Sequence, residues 1–499
     1  MNRRHFFHSL SAAASAVALP SLAMAQTTLG THIGAPPLFD NLTRAPLRGW
    51  HGQDVFCESA AIEGKLPAEL RGVFYRNGPG LFERGGQRYS HWFDGDGLVH
   101  AWRFTDQGVS HRARFVKTSK FKAEQEAKEF LYPAFGSLIR PKRPVRGPDS
   151  MNTANTSAVL LGDKVLAMWE GGSAYALDPN TLETRGVVDL GADLRGMPFS
   201  AHPKIEPDGT FWNFGSLFNK MVVYQMSARG DLLRHAVFEM PYSAMVHDFV
   251  ATQKHLVFLI PPIGIDMAAA RSGQKSMIEA MQWRANDGIK ILVVDKSDFS
   301  KRRILEMPAF MVFHFGNAWE KDGVIRLDFV KSDDLSIMSE WMPRIMKGEN
   351  VSTAESQAAF VTVDLNRGKV GIESRKENLE FPRVDPRVVA QRNRFVFYPV
   401  ATAPDSNFLD GVMCLDTDTG KTDVASMGAN VQLEEHVMVP KPGSSKEGEG
   451  WLVGVGFDMR RQQSCATVFD AMNLAAGPVA IAWLPYWAPY CFHGHFHAA

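Results

Sequence analysis

Four of the 16 histidines in this 499-residue chain stand in distinctive local contexts. They are His202 in Ser200-Ala201-His202-Pro203-Lys204, His247 in Met245-Val246-His247-Asp248-Phe249, His314 in Phe313-His314-Phe315-Gly316-Asn317, and His493 in Tyr490-Cys491-Phe492-His493-Gly494. A neutral imidazole is a ligand for iron, zinc and copper. Successive gaps of 45, 67 and 179 residues exclude a site built on one helix or one loop. Ligands so spaced must come from separate structural units that converge on a common axis. Taken singly, each of these residues reads more simply as a hydrogen-bonded core histidine, so the spacing alone decides nothing. The four cysteines, Cys57, Cys414, Cys465 and Cys491, show no CxxC spacing and offer no thiolate metal site. Buried free thiols are their simplest reading.

The units that would carry such ligands are short strands. Apolar runs of four to six residues end in Asp, Asn or Gly turns, as in 164–169 before Gly171-Gly172 and 174–177 before Asp178-Pro179-Asn180. The same unit recurs at 289–294 before Asp295-Lys296, at 359–363 before Asp364, and at 412–415 before Asp416. Runs of this kind closed by turn residues are hairpin chemistry. Many small antiparallel sheets without a strict period suit the blades of an all-β propeller. Two stretches, 265–286 and 335–355, carry Met, Ala, Ile and Trp at helical spacing and read as insertions covering one face.

The local contexts resemble the carotenoid cleavage oxygenase family across nearly the whole chain. The most specific block is Arg71-Gly72-Val73-Phe74-Tyr75-Arg76-Asn77-Gly78-Pro79, leading to His91-Trp92-Phe93-Asp94-Gly95-Asp96-Gly97. Asn155-Thr156 and Ala167-Met168-Trp169-Glu170-Gly171-Gly172 match two further blocks in order. The resemblance implies a seven-bladed β-propeller with one Fe(II) held by His202, His247, His314 and His493. It also implies three carboxylates, Glu170, Glu380 and Glu435, that accept the outer N–H of ligating imidazoles, with Glu434 an adjacent candidate for the last. Such partners fix the tautomer of a metal-bound histidine. Thr156 matches a threonine whose methyl crowds one coordination position. The implied reaction uses dioxygen as co-substrate and splits a C=C bond into two carbonyl products.

The family spans carotenoids, apocarotenoids, stilbenes and phenylpropenes. Phe115, in Arg112-Ala113-Arg114-Phe115, aligns with a tyrosine that, with a lysine, reads the phenol in stilbene-cleaving members, and no lysine falls just before Asn152-Thr153-Ala154-Asn155-Thr156, where that partner would stand. The expected substrate is therefore a carotenoid or apocarotenoid, with lignostilbene-type cleavage as the alternative. Two further alternatives are a retinoid-type isomerase without oxygen insertion and a metal-free binding propeller.

Balanced charge, with 54 basic and 54 acidic residues, gives no field for nucleic acid. Residues 1–25, with Arg3-Arg4, an apolar run over 10–22 and Ala23-Met24-Ala25, read as a removable signal peptide of twin-arginine type. The export machinery for folded proteins is thus an expected partner, and the periplasm or exterior the expected location. Residues 26–47 read as an N-terminal arm and 48–499 as one catalytic domain. Apolar residues at 130–139 beside Arg140, Lys142, Arg143 and Arg146 are those of a peripheral membrane contact or, equally, of a packed segment beside a solvated basic loop.

Overall fold

The computed structural model describes residues 38–499 apart from 52, 404, 405 and 407. The expected signal peptide, residues 1–25, and most of the expected arm lie outside the described residues. Seven antiparallel sheets form a seven-bladed β-propeller. The Asp residues that end the sequence runs close their hairpins: Asp178 Oδ1 accepts from the N–H groups of Asn180 and Thr181 at 2.9 and 2.8 Å, and Asp364 Oδ1 accepts from Asn366 and Arg367 at 2.9 and 3.0 Å. Side-chain acceptance of this kind replaces a backbone bond in the turn, which is why Asp recurs there.

The ring is closed twice. His493–Ala498, at the C-terminus, pairs antiparallel with Gly72–Leu81 in the first blade, while Ala61–Gly64 pairs with Pro478–Trp483 in the last. Each closing strand lies in a blade whose other strands come from the opposite end of the chain, so the two ends are locked together. Phe74, Leu98 and Trp102 of the first blade meet Val453 and Val468 of the last in one core cluster. The described end of the expected arm, from residue 38, packs against the propeller. Leu42–Arg48 is a 3-10 helix with Arg44, Ala45, Pro46 and Leu47 buried, capped where Asn41 accepts from Thr43 N–H at 2.9 Å.

Each blade presents an edge strand towards the axis, and the strand His493–Ala498 packs beside Ser157–Leu161 and Val431–Pro440 there. Three insertions flank this centre. One, 116–151, carries the helix Ser119–Ala127. The 265–286 stretch is less helical than its spacing predicts: the helices Met267–Arg271 and Met277–Ala280 are short, separated by Gly273 at φ 70°, and a two-stranded ribbon pairs Ile263–Ile265 with Met281–Trp283. The third insertion holds a π-turn, Ile337–Trp341, running into the helix Met342–Met346. All four cysteines are buried and free.

Candidate metal centre

The four histidines meet at the axis, their ligand nitrogens within 4.8 Å of one another. His202 and His247 sit just before the edge strands Lys204–Ile205 and Val250–Ala251, His314 lies within Met311–Lys321, and His493 begins the closing strand. His247 Nε2 is 2.9 Å from His202 Nε2 and 3.2 Å from His314 Nε2. Nitrogens about 2.1 Å from one ion are about 3.0 Å apart at a right angle and about 3.4 Å apart at the tetrahedral angle. The observed spacings fit a shared ion with near-right-angle geometry at these positions.

Three carboxylates set the tautomers. Glu170 pairs with Nδ1 of His247, Glu380 accepts from Nδ1 of His314 at 2.6 Å, and Glu435 accepts from Nδ1 of His493 at 2.9 Å. With its proton committed to Nδ1, each ring turns a bare Nε2 lone pair on its neighbours. Converging lone pairs repel unless a cation lies between them, so the donor set fits a metal ion. Burial holds His493 neutral, with its pKa lowered to about 3, and drives that of His202 well below the ordinary value. Burial opposes protonation of His247 too, but the carboxylates of Glu170, Asp248 and Glu380 together raise its pKa. Neutral rings are the form that ligates.

Adjacent Glu434 and Glu435 both point inward because the strand Val431–Pro440 slips register between Leu433 and His436. Glu435 takes His493, the Gly494 N–H at 2.8 Å and Arg383 Nη2 at 2.6 Å. Glu434 instead accepts from Arg76 Nη2 at 2.9 Å and Cys491 N–H at 2.8 Å. Its neighbour His436 is held between Glu434 O and Thr467 Oγ1, both at 2.8 Å. Thr156 is buried beside the centre, and its carbonyl accepts from the His493 N–H at 3.2 Å.

His247, His314 and His493 open onto a cavity of about 1250 Å³. Its walls include Phe93, Phe135, Phe313, Met342, Phe381 and Phe492. The half-exposed Leu138 and Val145, with Lys142, Arg143 and Arg146, form part of its rim. Phe115 is not in this wall. The strand Gly108–Phe115 alternates, turning Val109, His111, Ala113 and Phe115 into the blade core, where Phe115 stacks on Phe121 at 5.5 Å. It therefore carries no information on the substrate. Arg44, which does line the cavity, escaped the sequence reading because nothing in Leu42-Thr43-Arg44-Ala45 signals burial.

Propeller and histidine centre together place the protein among the oxygenases built around a single non-haem metal. More narrowly, the chain belongs to the RPE65 family of carotenoid cleavage oxygenases: the pattern of the retinal pigment epithelial membrane protein matches residues 51–498. An apocarotenoid-15,15'-oxygenase from Synechocystis is 31% identical over 480 residues, covering 90% of this chain and 95% of its own length. An isoeugenol monooxygenase from Pseudomonas nitroreducens is 29% identical, covering 87% of this chain and 93% of its own. The crystal structure of cobalt-substituted Synechocystis apocarotenoid oxygenase superposes with a TM-score of 0.84 at 28% identity, over 93% of this chain and all of that one, 100%.

Proposed function

We propose that this protein is an Fe(II)-dependent dioxygenase that cleaves a C=C bond of a carotenoid or apocarotenoid into two carbonyl products. The observation that carries this reading is a four-histidine cluster that opens, through His247, His314 and His493, onto a large, mostly apolar cavity. His202, His247, His314 and His493 would hold the iron, and Glu170, Glu380 and Glu435 would keep three of those rings in the ligating tautomer. Ferrous iron held there would supply the electrons and Lewis acidity that let dioxygen react with an unactivated olefin.

The chain's own part is positioning and exclusion. Aromatic walls at Phe93, Phe313, Phe381 and Phe492 hold a flat conjugated chain and keep water from the reacting carbons. Thr156 narrows the approach to the centre on the His493 side. No side chain is needed to move a proton. Ordinary ligand pockets run from roughly 300 to 1,000 Å³. A cavity of about 1250 Å³ exceeds them, which supports a long polyene over a phenylpropene. The isoeugenol-acting relative keeps phenylpropene or stilbene cleavage as the second reading.

The test is aerobic incubation of iron-loaded protein with apocarotenals, carotenoids and hydroxystilbenes, with products read by mass spectrometry. Paired carbonyl fragments from a polyene support the reading, and fragments from hydroxystilbenes alone would replace the substrate class. We further propose that residues 1–25 direct export of the folded protein and that the 138–146 rim rests on lipid. Cytoplasmic retention on changing Arg3-Arg4 to Lys-Lys, and salt-sensitive binding to anionic vesicles, are the outcomes expected.

A further inference from the structure

One buried charge in the cavity wall has no use in the chemistry above. Arg44 is 1% exposed yet lines the cavity. Its Nη2 donates to Val351 O at 2.9 Å, and the guanidinium lies 4.9 Å from the centre of the Phe408 ring. Its Nε has no hydrogen-bond partner. Other buried arginines are compensated, Arg76 by Glu434 and Glu435 and Arg84 by Asp96. No ion pair joins Arg44 to a carboxylate among the described residues. A guanidinium stays charged even when buried, and a buried charge without a counter-charge is unfavourable. Burial lowers its pKa while nearby Tyr490 opposes the shift.

Two further polar groups stand at the same end. Tyr490 donates its hydroxyl proton to Gln432 Oε1 at 2.6 Å, and both residues line the cavity. The amide nitrogen of Gln432 adds donors of its own. Most of the remaining wall is aromatic and aliphatic, and the buried charges Glu434 and Lys120 that also line it are paired, with Arg76 and with Asp96 and Glu124, so the Arg44 guanidinium beside amide donors marks one end of the cavity as different. Tyr490 precedes His493 by three residues, which keeps their Cα atoms within about 11 Å. The polar end is therefore within reach of a ligand whose double bond lies at the histidines.

We propose that Arg44 and the amide of Gln432, held in place by Tyr490, form an anion subsite, and that the olefin this enzyme prefers carries a terminal carboxylate seated there. The proposal rests on reading the histidine centre as an olefin-cleaving site. A carboxylate satisfies the guanidinium in charge and in hydrogen bonding, whereas an aldehyde or alcohol offers an oxygen without the charge. Anchored by its carboxyl end, a rigid polyene presents one defined double bond to the metal, so the subsite sets the position of cleavage as well as affinity.

The test compares an apocarotenoic acid with the aldehyde of the same polyene. Both are titrated anaerobically into the iron-loaded full chain, and binding is followed by quenching of tryptophan fluorescence, since Trp92 and Trp341 line the cavity. The acid is expected to bind at least about 30-fold more tightly, and that ratio to fall below about 3-fold in Arg44→Met. Equal affinities in the wild type, or an undiminished ratio in Arg44→Met, would overturn the subsite. Should Arg44→Met not fold, Tyr490→Phe is the second variant, with a several-fold fall in the ratio expected and an unchanged ratio counting against the proposal. Both compounds are also incubated in air. Cleavage of neither would sink the olefin-cleaving reading, while the binding ratio would still decide the subsite on its own.

Discussion

The three carboxylates behind the histidines make separable predictions, because they are embedded differently. Glu380 serves chiefly His314: its carboxylate accepts from Nδ1 at 2.6 Å and from its neighbour's Phe381 N–H, and it is 17% exposed. Glu435 is 1% exposed and also faces two cations, Arg383 at 2.6 Å and Arg76 at 3.5 Å. Replacing Glu380 by Gln should leave the metal-free fold nearly unchanged while loosening the His314 ring. Loss of such a partner lowers metal affinity by about 10- to 100-fold, or about 1.4–2.7 kcal/mol. Glu435→Gln should do that and also destabilise the metal-free protein by about 2 kcal/mol, because it removes the charged partner of Arg383 and one of the two carboxylates beside buried Arg76, which keeps Glu434. Iron affinity measured against a competing chelator, together with thermal unfolding of the metal-free forms, separates the two effects. Unaltered iron affinity in Glu380→Gln would refute the assignment of that carboxylate as an orienting group, and equal metal-free stability of the two variants would refute the ranking by burial.

Other outcomes follow from the same structure. His111 donates to or accepts from His100 at 3.0 Å and Tyr486 at 2.9 Å, and burial lowers its pKa from 6.5 to about 3. The unfolded chain binds that proton first, so the stabilisation is full above about pH 6.5 and falls by about 1.4 kcal/mol per pH unit below it. Denaturant unfolding between pH 6.5 and 5 should show at least this slope, since the other buried neutral histidines add to it, and His111→Gln should reduce it by about 1.4 kcal/mol per pH unit; an unchanged slope in the variant would contradict the account. A Cβ on Gly454 would lie 2.2 Å from the His436 ring, which is pinned at both nitrogens, so Gly454→Ala should lose about 1–3 kcal/mol of stability in the same assay.

The legible parts of this fold were those written locally. Turn chemistry at Asp178, Asp364 and Asp416 marks hairpins whatever the distant chain does. The contexts of His202, His247, His314 and His493 identified residues that meet only in three dimensions, because a family resemblance carries long-range information that spacing lacks. Where the outcome hangs on tertiary register, the sequence was silent or misleading. The choice between Glu434 and Glu435 depends on the register slip in their strand, which turns both inward and assigns them different partners. The placement of Phe115 could have been read from the alternation of its own strand, which puts it on the same face as Val109 and Ala113. Residues 265–286 have helical spacing, but Gly273 and the pairing of Ile263–Ile265 with Met281–Trp283 break them up. Burial of Arg44 depends on Val351 and Phe408, more than 300 residues away.

The central claim is that four histidines hold one iron that uses dioxygen to break a double bond. It is tested most directly by loading the full chain with Fe(II), counting iron per chain in wild type and His314→Ala, and incubating each with an apocarotenoid with and without dioxygen. The account predicts one iron per wild-type chain, much less in the variant, and paired carbonyl fragments only from wild type in the presence of dioxygen. A folded wild type that binds no metal, or that transforms the olefin equally well without dioxygen, would contradict it.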